Sequence, residues 1–209
     1  MGKVRADISV SVDGYVAGPR QTRENPLGEG GEGLHEWAVA LEVFRERHGE
    51  EGGVVNASDQ VMREAVAGVG AGIMGRGMFA GTGPWDETWT GWWGENPPFH
   101  VPTFVLTHHR REPLTVSDTT FVFVGDGIDA ACAQARKAAG DKDILIHGGA
   151  RTIDQALAAG LVDELDLHVV PVVLGGGSRL LADVPPQLTF EQVRVIEAPG
   201  VTHLKYRVK

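Results

Sequence analysis

The stretch that most constrains this chain runs from Asp143 to Gly177, DILIHGGARTIDQALAAGLVDELDLHVVPVVLGGG. Ile144, Leu145 and Ile146 make a short apolar, β-branched run of strand length. Gly148 and Gly149 then predict a sharp turn, where the missing Cβ atoms let something approach the backbone closely. From Ala150 the apolar period becomes helical, with Ile153, Ala156, Leu157 and Leu161 on one stripe and Gly160 where a helix would stop. A strand that turns through Gly-Gly into a helix sets unpaired N–H groups beside the positive end of the helix dipole. That arrangement suits an anion, although many such turns carry glycine only to make the bend.

The rest of the chain narrows the class. Its 209 residues are within the range of one domain, and we expect a single domain over 1–209 because no linker, repeat or composition break interrupts the sequence. A formal net charge of -9 argues against a general binder of nucleic acid or of membrane surfaces. The one cysteine, Cys132, excludes an internal disulfide framework and, within DAACAQARKAA, reads as a packed helix residue. Lys3, Arg5 and Asp7 lead directly into an alternating strand instead of a leader, and no apolar run is long enough for a bilayer. A cytoplasmic location is the expectation.

Taken in order, residues 3–12 predict a first strand closed by the Asp13-Gly14 turn, and residues 19–33 predict a Gly- and Pro-rich loop of the kind used as a lid. Helical spacing of Leu34, Trp37, Ala38, Leu41 and Phe44 predicts one helix ending near His48, and a second is expected from Ser58, as N-cap, to Ala67. A buried strand then enters Gly75-Arg76-Gly77. Trp85, Trp89, Trp92 and Trp93 follow within a turn-rich segment, either as an aromatic wall for a planar ligand or as pins holding a loop to the core. The strand PTFVLT leads to His108, His109, Arg110 and Arg111. After a further strand and helix comes the opening stretch, in which ELDLHVVPVVLGGG reads as one long strand; the last 20 residues read as an antiparallel hairpin. Strands alternating with helices and ending in a β-rich tail predict an α/β sandwich with a mostly parallel sheet.

Three predicted strand ends share one theme: IMGR at 73–76, VLTHHRR at 105–111 and IHGGART at 146–152. Ligands of such sheets sit beyond the carboxyl ends of the strands, so the three turns are expected to face one crevice. They offer an arginine behind a glycine, a basic cluster with a threonine hydroxyl, and a helix N-terminus carrying Arg151 and Thr152, all suited to phosphate. The sequence contains no GxxxxGK[ST], no zinc spacing, no GxGxxG and no GxSxG, and no metal site is expected.

The segments SVDGYVAG at 11–18, GIMGR at 72–76, FVLTHH at 104–109, DILIHGGA at 143–150 and GLVDELDLHVVPVVLGGGSRLL at 160–181 resemble a superfamily that joins dihydrofolate reductase to the C-terminal reductase domain of the bifunctional riboflavin-biosynthesis deaminase-reductase. The resemblance runs nearly end to end and is nearest to stand-alone dihydrofolate-reductase-like members. It implies a three-layer α/β/α sandwich and a reductase passing hydride from NADPH to a small pteridine- or aminopyrimidine-like heterocycle. Carried over, Gly75, Arg76, Thr107, His108, His109 and Arg110 would hold the adenosine 2′-phosphate. Gly148, Gly149, Ala150, Arg151 and Thr152 would cradle the pyrophosphate, and Ser9, Val16 and Ala17 would border the nicotinamide. Trp37 and Trp85 are candidates for substrate contact, and Asp13, Glu36 and His147 for proton donation. The riboflavin-pathway reductases typically carry glutamate before Gly-Gly where this chain has His147, so the pyrimidine-ribityl substrate does not carry over with the resemblance. A homodimer is also implied. The rival expectation is a non-catalytic protein that keeps the nucleotide cleft.

Overall fold

The computed structural model describes residues 2–209. Among the described residues eleven strands are formed: β1 Val4–Ser11, β2 Tyr15–Ala17, β3 Val69–Gly75, β4 Thr103–Leu106, β5 Leu114–Val116, β6 Thr119–Val124, β7 Asp143–Gly148, β8 Glu164–Val170, β9 Ser178–Arg179, β10 Phe190–Ala198 and β11 Val201–Val208. Helices are α1 Glu36–Val39, α2 Glu42–Arg47, α3 Ala57–Val66, α4 Arg76–Ala80, α5 Gly127–Ala139 and α6 Ala150–Ala158. All strands but β2 and β9 lie in one sheet, ordered β10-β11-β8-β1-β7-β3-β4-β6-β5. From β8 to β6 every neighbouring pair is parallel, while β11, β10 and β5 run antiparallel at the two edges. The mixed, mostly parallel sheet with a C-terminal hairpin is therefore the architecture expected from the sequence.

The two faces of the sheet differ in chemistry. On one, Val4, Ala6, Ala71, Ile73, Ile144 and Ile146 pack against Ala131 and Ala135 of α5 and Ile153 and Leu157 of α6 in the main core. Alanines on α5 let that helix approach closely, and Ile153 is fully buried, so truncating it to Ala would cost about 2–5 kcal/mol. On the face beneath α1 to α3, the alternation brings up Arg5, Asp7, Ser9, His147, Asp166 and His168, several of them buried. A polar interior face on central strands costs desolvation and calls for partners.

Several local expectations are corrected. The helix expected over 34–48 is broken into a 3-10 turn at Gly31–Leu34, α1 and α2, because Leu41 is extended and forms a parallel bridge with Val54. Helix α3 is capped by Asn56, whose side chain accepts from Asp59 N–H at 3.0 Å; Ser58 instead turns inward to His203. Strand β8 ends before Pro171, which has no N–H to donate to a ladder. The segment beyond it is fastened to the β1–β2 turn, with Val12 N–H donating to Val172 and Asp13 accepting from Leu174 and Gly175. The 19–33 loop is hydrogen-bonded to itself and to the strand ends, as in Gly18 N–H to Leu27 and Glu29 N–H to Pro19. Gly160 does close α6: it has φ 66°, its N–H donates to Leu157 and that of Leu161 to Ala156.

Candidate active site

Because β7, β3 and β4 are consecutive, parallel neighbours, the turns that leave their carboxyl ends lie side by side. Their closeness is built from side chains as well as register. A Cβ on Gly75 would collide with Thr152 Oγ1, so the β3 turn sits against the first turn of α6. Gly148, with φ 121°, passes beside Ile8 of β1, where an added Cβ would lie 2.9 Å from Ile8 Cδ1. The Gly148–Gly149 peptide is cis. Gly149 caps α6 with no side-chain acceptor, and there is open space where its Cβ would be. Thr152 is buried at the junction, and Arg151 is exposed beside it.

On the β3 turn itself, Arg76 starts α4, its guanidinium donates to Gly83 O, and its Cζ lies 5.9 Å from the Trp85 ring. Trp85 stacks on His109 at 4.9 Å between centroids and 2° between planes. Arg76 Nε and Trp85 Nε1 are both buried donors with no partner. A buried donor left without an acceptor is costly. Thr107 is buried and accepts from His109 N–H at 3.1 Å, which fixes the turn, while His108 and Arg110 are exposed. Arg111 is used otherwise, donating to Trp89 O and lying 5.0 Å from the Phe123 ring. The remaining tryptophans of this segment are pins: Trp89 and Trp92 donate to Phe79 O and Met78 O, and Trp93 packs on Phe99 and Phe121.

The other predicted residues are dispersed. Ser9 accepts from Trp37 Nε1 at 3.1 Å, and Val16 and Ala17 are buried on β2, which pairs with β9 outside the main sheet. Asp13 accepts from Ser11 Oγ, Leu174 N–H and Gly175 N–H, and these bonds hold its carboxyl below the usual carboxylate range. It is thus an ionised turn anchor, poorly suited to giving up a proton near neutral pH. Glu36 is exposed at the start of α1. Neither Trp85, beside Arg76, nor Trp37, which packs on His168 and His203, is among the residues lining the cavity beside β1.

That cavity, about 170 Å³, is lined by residues that include Asp7, Phe44, Arg47, Phe99, His147 and His168. His147 fits there because Gly72 of β3 has no Cβ, which would come within 2.8 Å of its Nε2. Burial pushes His147 down to about 4, with nearby Asp7 opposing and Arg47 reinforcing the shift, so the ring is neutral at physiological pH. Its Nε2 is buried without a partner, as is Asp7 Oδ2. Asp7, His168 and His203 went unnoticed in the sequence as functional candidates; the available signal was their place on alternate positions of strands that should be apolar on both faces.

The sheet order and the parallel β8-to-β6 core with its C-terminal hairpin define a dihydrofolate-reductase-type α/β fold. The chain belongs to the RibD C-terminal domain family, which it matches over residues 2–204. It is 22% identical to a putative riboflavin biosynthesis protein of Shewanella sp. PV-4, with a TM-score of 0.65 over 99% of both chains. RibD of Acinetobacter baumannii superposes with a TM-score of 0.59 at 19% identity, over 100% of this chain and 58% of that one. Dihydrofolate reductase of Enterococcus faecalis, in a complex with NADP(H), superposes at 0.52 with 13% identity over 99% and 96%. A curated relative, the uncharacterized protein YyaP of Bacillus subtilis, is 30% identical over 118 residues, which is 54% of this chain and 62% of that protein. No helix among the described residues is long and apolar enough to cross a membrane, and no cluster of His, Cys, Asp and Glu among them forms a metal site.

Proposed function

We propose that this protein is an NADPH-dependent reductase of a small, flat nitrogen heterocycle of the pteridine or aminopyrimidine kind. The observation that carries the reading is the grouping of Arg76, Trp85 and His109 behind β3 and β4 beside the N-terminus of α6, which has no side-chain cap. The residues present fit the cofactor. Arg76, with His109 and the exposed Arg110, would hold the 2′-phosphate, and the turn from Gly148 to Thr152 would hold the pyrophosphate. An arginine is the suitable partner for a dianionic phosphate on a chain of net charge -9, which must place its cations locally. When bound, the reduced nicotinamide supplies the hydride. The protein's part is to orient both molecules and exclude water, and the cavity beside β1 supplies the pocket for the accepting ring. The family and the NADP(H)-bound neighbour support this reading.

The test is NADPH oxidation followed at 340 nm with dihydrofolate, oxidised pteridines and aminouracils offered in turn. Turnover with one of them is the expected result. Tight NADPH binding with no oxidation across the panel would favour the alternative, a nucleotide-binding protein without catalysis, and absence of NADPH binding would sink both.

A further inference from the structure

The polar face beneath α1 to α3 carries a hydrogen-bonded chain through four elements. His168 Nε2 of β8 is 3.0 Å from Asp7 Oδ1 of β1, and His168 Nδ1 is 2.8 Å from His203 Nδ1 of β11. His203 Nε2 in turn is 2.9 Å from Ser58 Oγ, in the first turn of α3. The two rings are 4.8 Å apart between centroids, and Trp37 of α1 packs on both. Ser58, His168 and His203 are all buried, so each ring nitrogen depends on its protein partner.

The contact between the two Nδ1 atoms holds with one proton between them and fails with none or two. Two placements satisfy the whole chain. In the first, His168 carries both ring protons and donates to Asp7 and to His203, while neutral His203 donates from Nε2 to the serine hydroxyl. In the second, one proton fewer, His168 donates only to Asp7, His203 donates from Nδ1 to His168, and Ser58 donates to His203. Losing a proton therefore reverses the chain and leaves it whole. A proton gained by the first placement sets two N–H groups head to head on two cations, and no rotation of Ser58 repairs that. Burial disfavours an imidazolium at His168, but Asp7, with Asp166 nearby, outweighs it and raises this group. Burial and the neighbouring His168 push His203 down to about 4. Charge thus favours the first placement, and the change that acid brings is the disruptive one.

Ser58 ties the start of α3 to the sheet, whereas the far end of the helix is tied separately, by Arg5 Nη2 to Ala65 O at 2.9 Å and by Arg194 to Glu64 at 2.6 Å. Met62, between these fastenings, lines the cavity beside β1. We propose that the facing nitrogens of His168 and His203 are an acid-released latch: one shared proton fastens the first turns of α3 to the sheet, and a second proton opens them and loosens that wall of the cavity. The latch goes beyond the reductase reading and works whatever the cavity binds. The charged and titratable groups facing the pair are Asp7 of β1, Asp166 of β8, Lys205 of β11, Arg194 of β10 and His35 before α1, with Arg5 and His147 behind Asp7. Arg194 opposes a cation at His203 and Lys205 one at His168. Asp166 is engaged by Lys205 at 2.8 Å and Asp7 by His168, so neither carboxylate is free to offset a second imidazolium.

The test follows amide exchange of the full chain, labelled with 15N-histidine, from about pH 7 to 4.5, corrected for the intrinsic effect of pH on exchange. At pH 7 the ring signals should count one proton between the two Nδ1 atoms. Below about pH 6.5, protection of residues 57–62 should fall about tenfold per pH unit, because the open form binds one proton more than the closed one. Helices α5 and α6 should keep their protection. His203→Asn, which keeps an acceptor for His168 but takes up no proton, should flatten that slope. Ser58→Ala, a milder change that cuts the tie itself, should lower protection of 57–62 already at pH 7 and flatten the slope as well. His147→Gln, which removes another buried ring held near 4, should retain it. A wild-type slope that is flat, a slope undiminished in Ser58→Ala, or loss of protection in α3 and α5 together overturns the latch. So does a doubly protonated His203 at pH 7.

Discussion

Replacing Arg76 by Ala asks whether the crevice discriminates a 2′-phosphate. The guanidinium sits at the head of α4 with Nε buried and unpaired, one amino group on Gly83 O and its carbon 5.9 Å from the Trp85 ring. A hydrogen bond to a charged partner is worth about 1.5–3 kcal/mol, which is roughly 10- to 150-fold in Kd. NADPH affinity should fall by that factor, while NADH, which lacks the phosphate, should change by no more than about threefold, on the order of 0.6 kcal/mol. Quenching of Trp85, stacked on His109 in the same place, gives the readout. Arg76→Lys should recover part of the loss, since an ammonium keeps the charge but not the planar fork. Equal losses for both nucleotides in a variant with an unchanged melting curve would refute the placement of the 2′-phosphate.

Other perturbations address the crevice and the fold. Gly75→Val should weaken NADPH by about tenfold or more, measured by the same quenching, because the new side chain displaces Thr152 and with it the first turn of α6. Asp154 is buried on α6 and accepts from the amides of Leu181, Ala182 and Asp183; Asp154→Asn should cost about 1–3 kcal/mol in urea unfolding, and a loss below about 0.5 kcal/mol would contradict that anchoring role. Acid should destabilise the protein between about pH 6.5 and 4. His147 and His203 are both held near 4 when folded, so the unfolded chain takes up protons there that the folded chain does not. Each histidine contributes a slope of up to about 1.4 kcal/mol per pH unit, and lowered His35 acts in the same direction. Raised His168 adds stability that is complete below the ordinary histidine range, and lowered Asp7 stays ionised across this window, so neither reverses the sign. Unfolding free energies that stay flat from pH 7 to 4.5 would count against the buried neutral histidines.

The strands and turns around the crevice were legible because each is specified locally. Ile144 to Ile146, Gly148-Gly149 and the stripe from Ile153 to Leu161 announce a βα unit without help from the rest of the chain. The basic residues behind β3 and β4 were legible as a group, yet not their division of labour. Arg111 and three of the tryptophans serve the loop, and only contacts between segments separated in sequence reveal it. The break at Leu41 was hidden for the same reason, since its cause is a bridge to Val54. The polar face was the largest omission. Asp7, His168, His203 and Ser58 come from four elements, and their spacing carries no periodic mark; sheet order alone puts them in line. Asp13 and Glu36, the acids the sequence offered, are a turn anchor and a solvated residue in the fold.

The most direct test of the nucleotide crevice is a crystal structure of the full chain with NADPH. The 2′-phosphate should lie against Arg76, with Trp85 and His109 beside it, the pyrophosphate on the amides of Gly149 to Arg151, and the nicotinamide toward the cavity beside β1. A nucleotide bound elsewhere, or reversed so that its 2′-phosphate faces α6, would contradict the account.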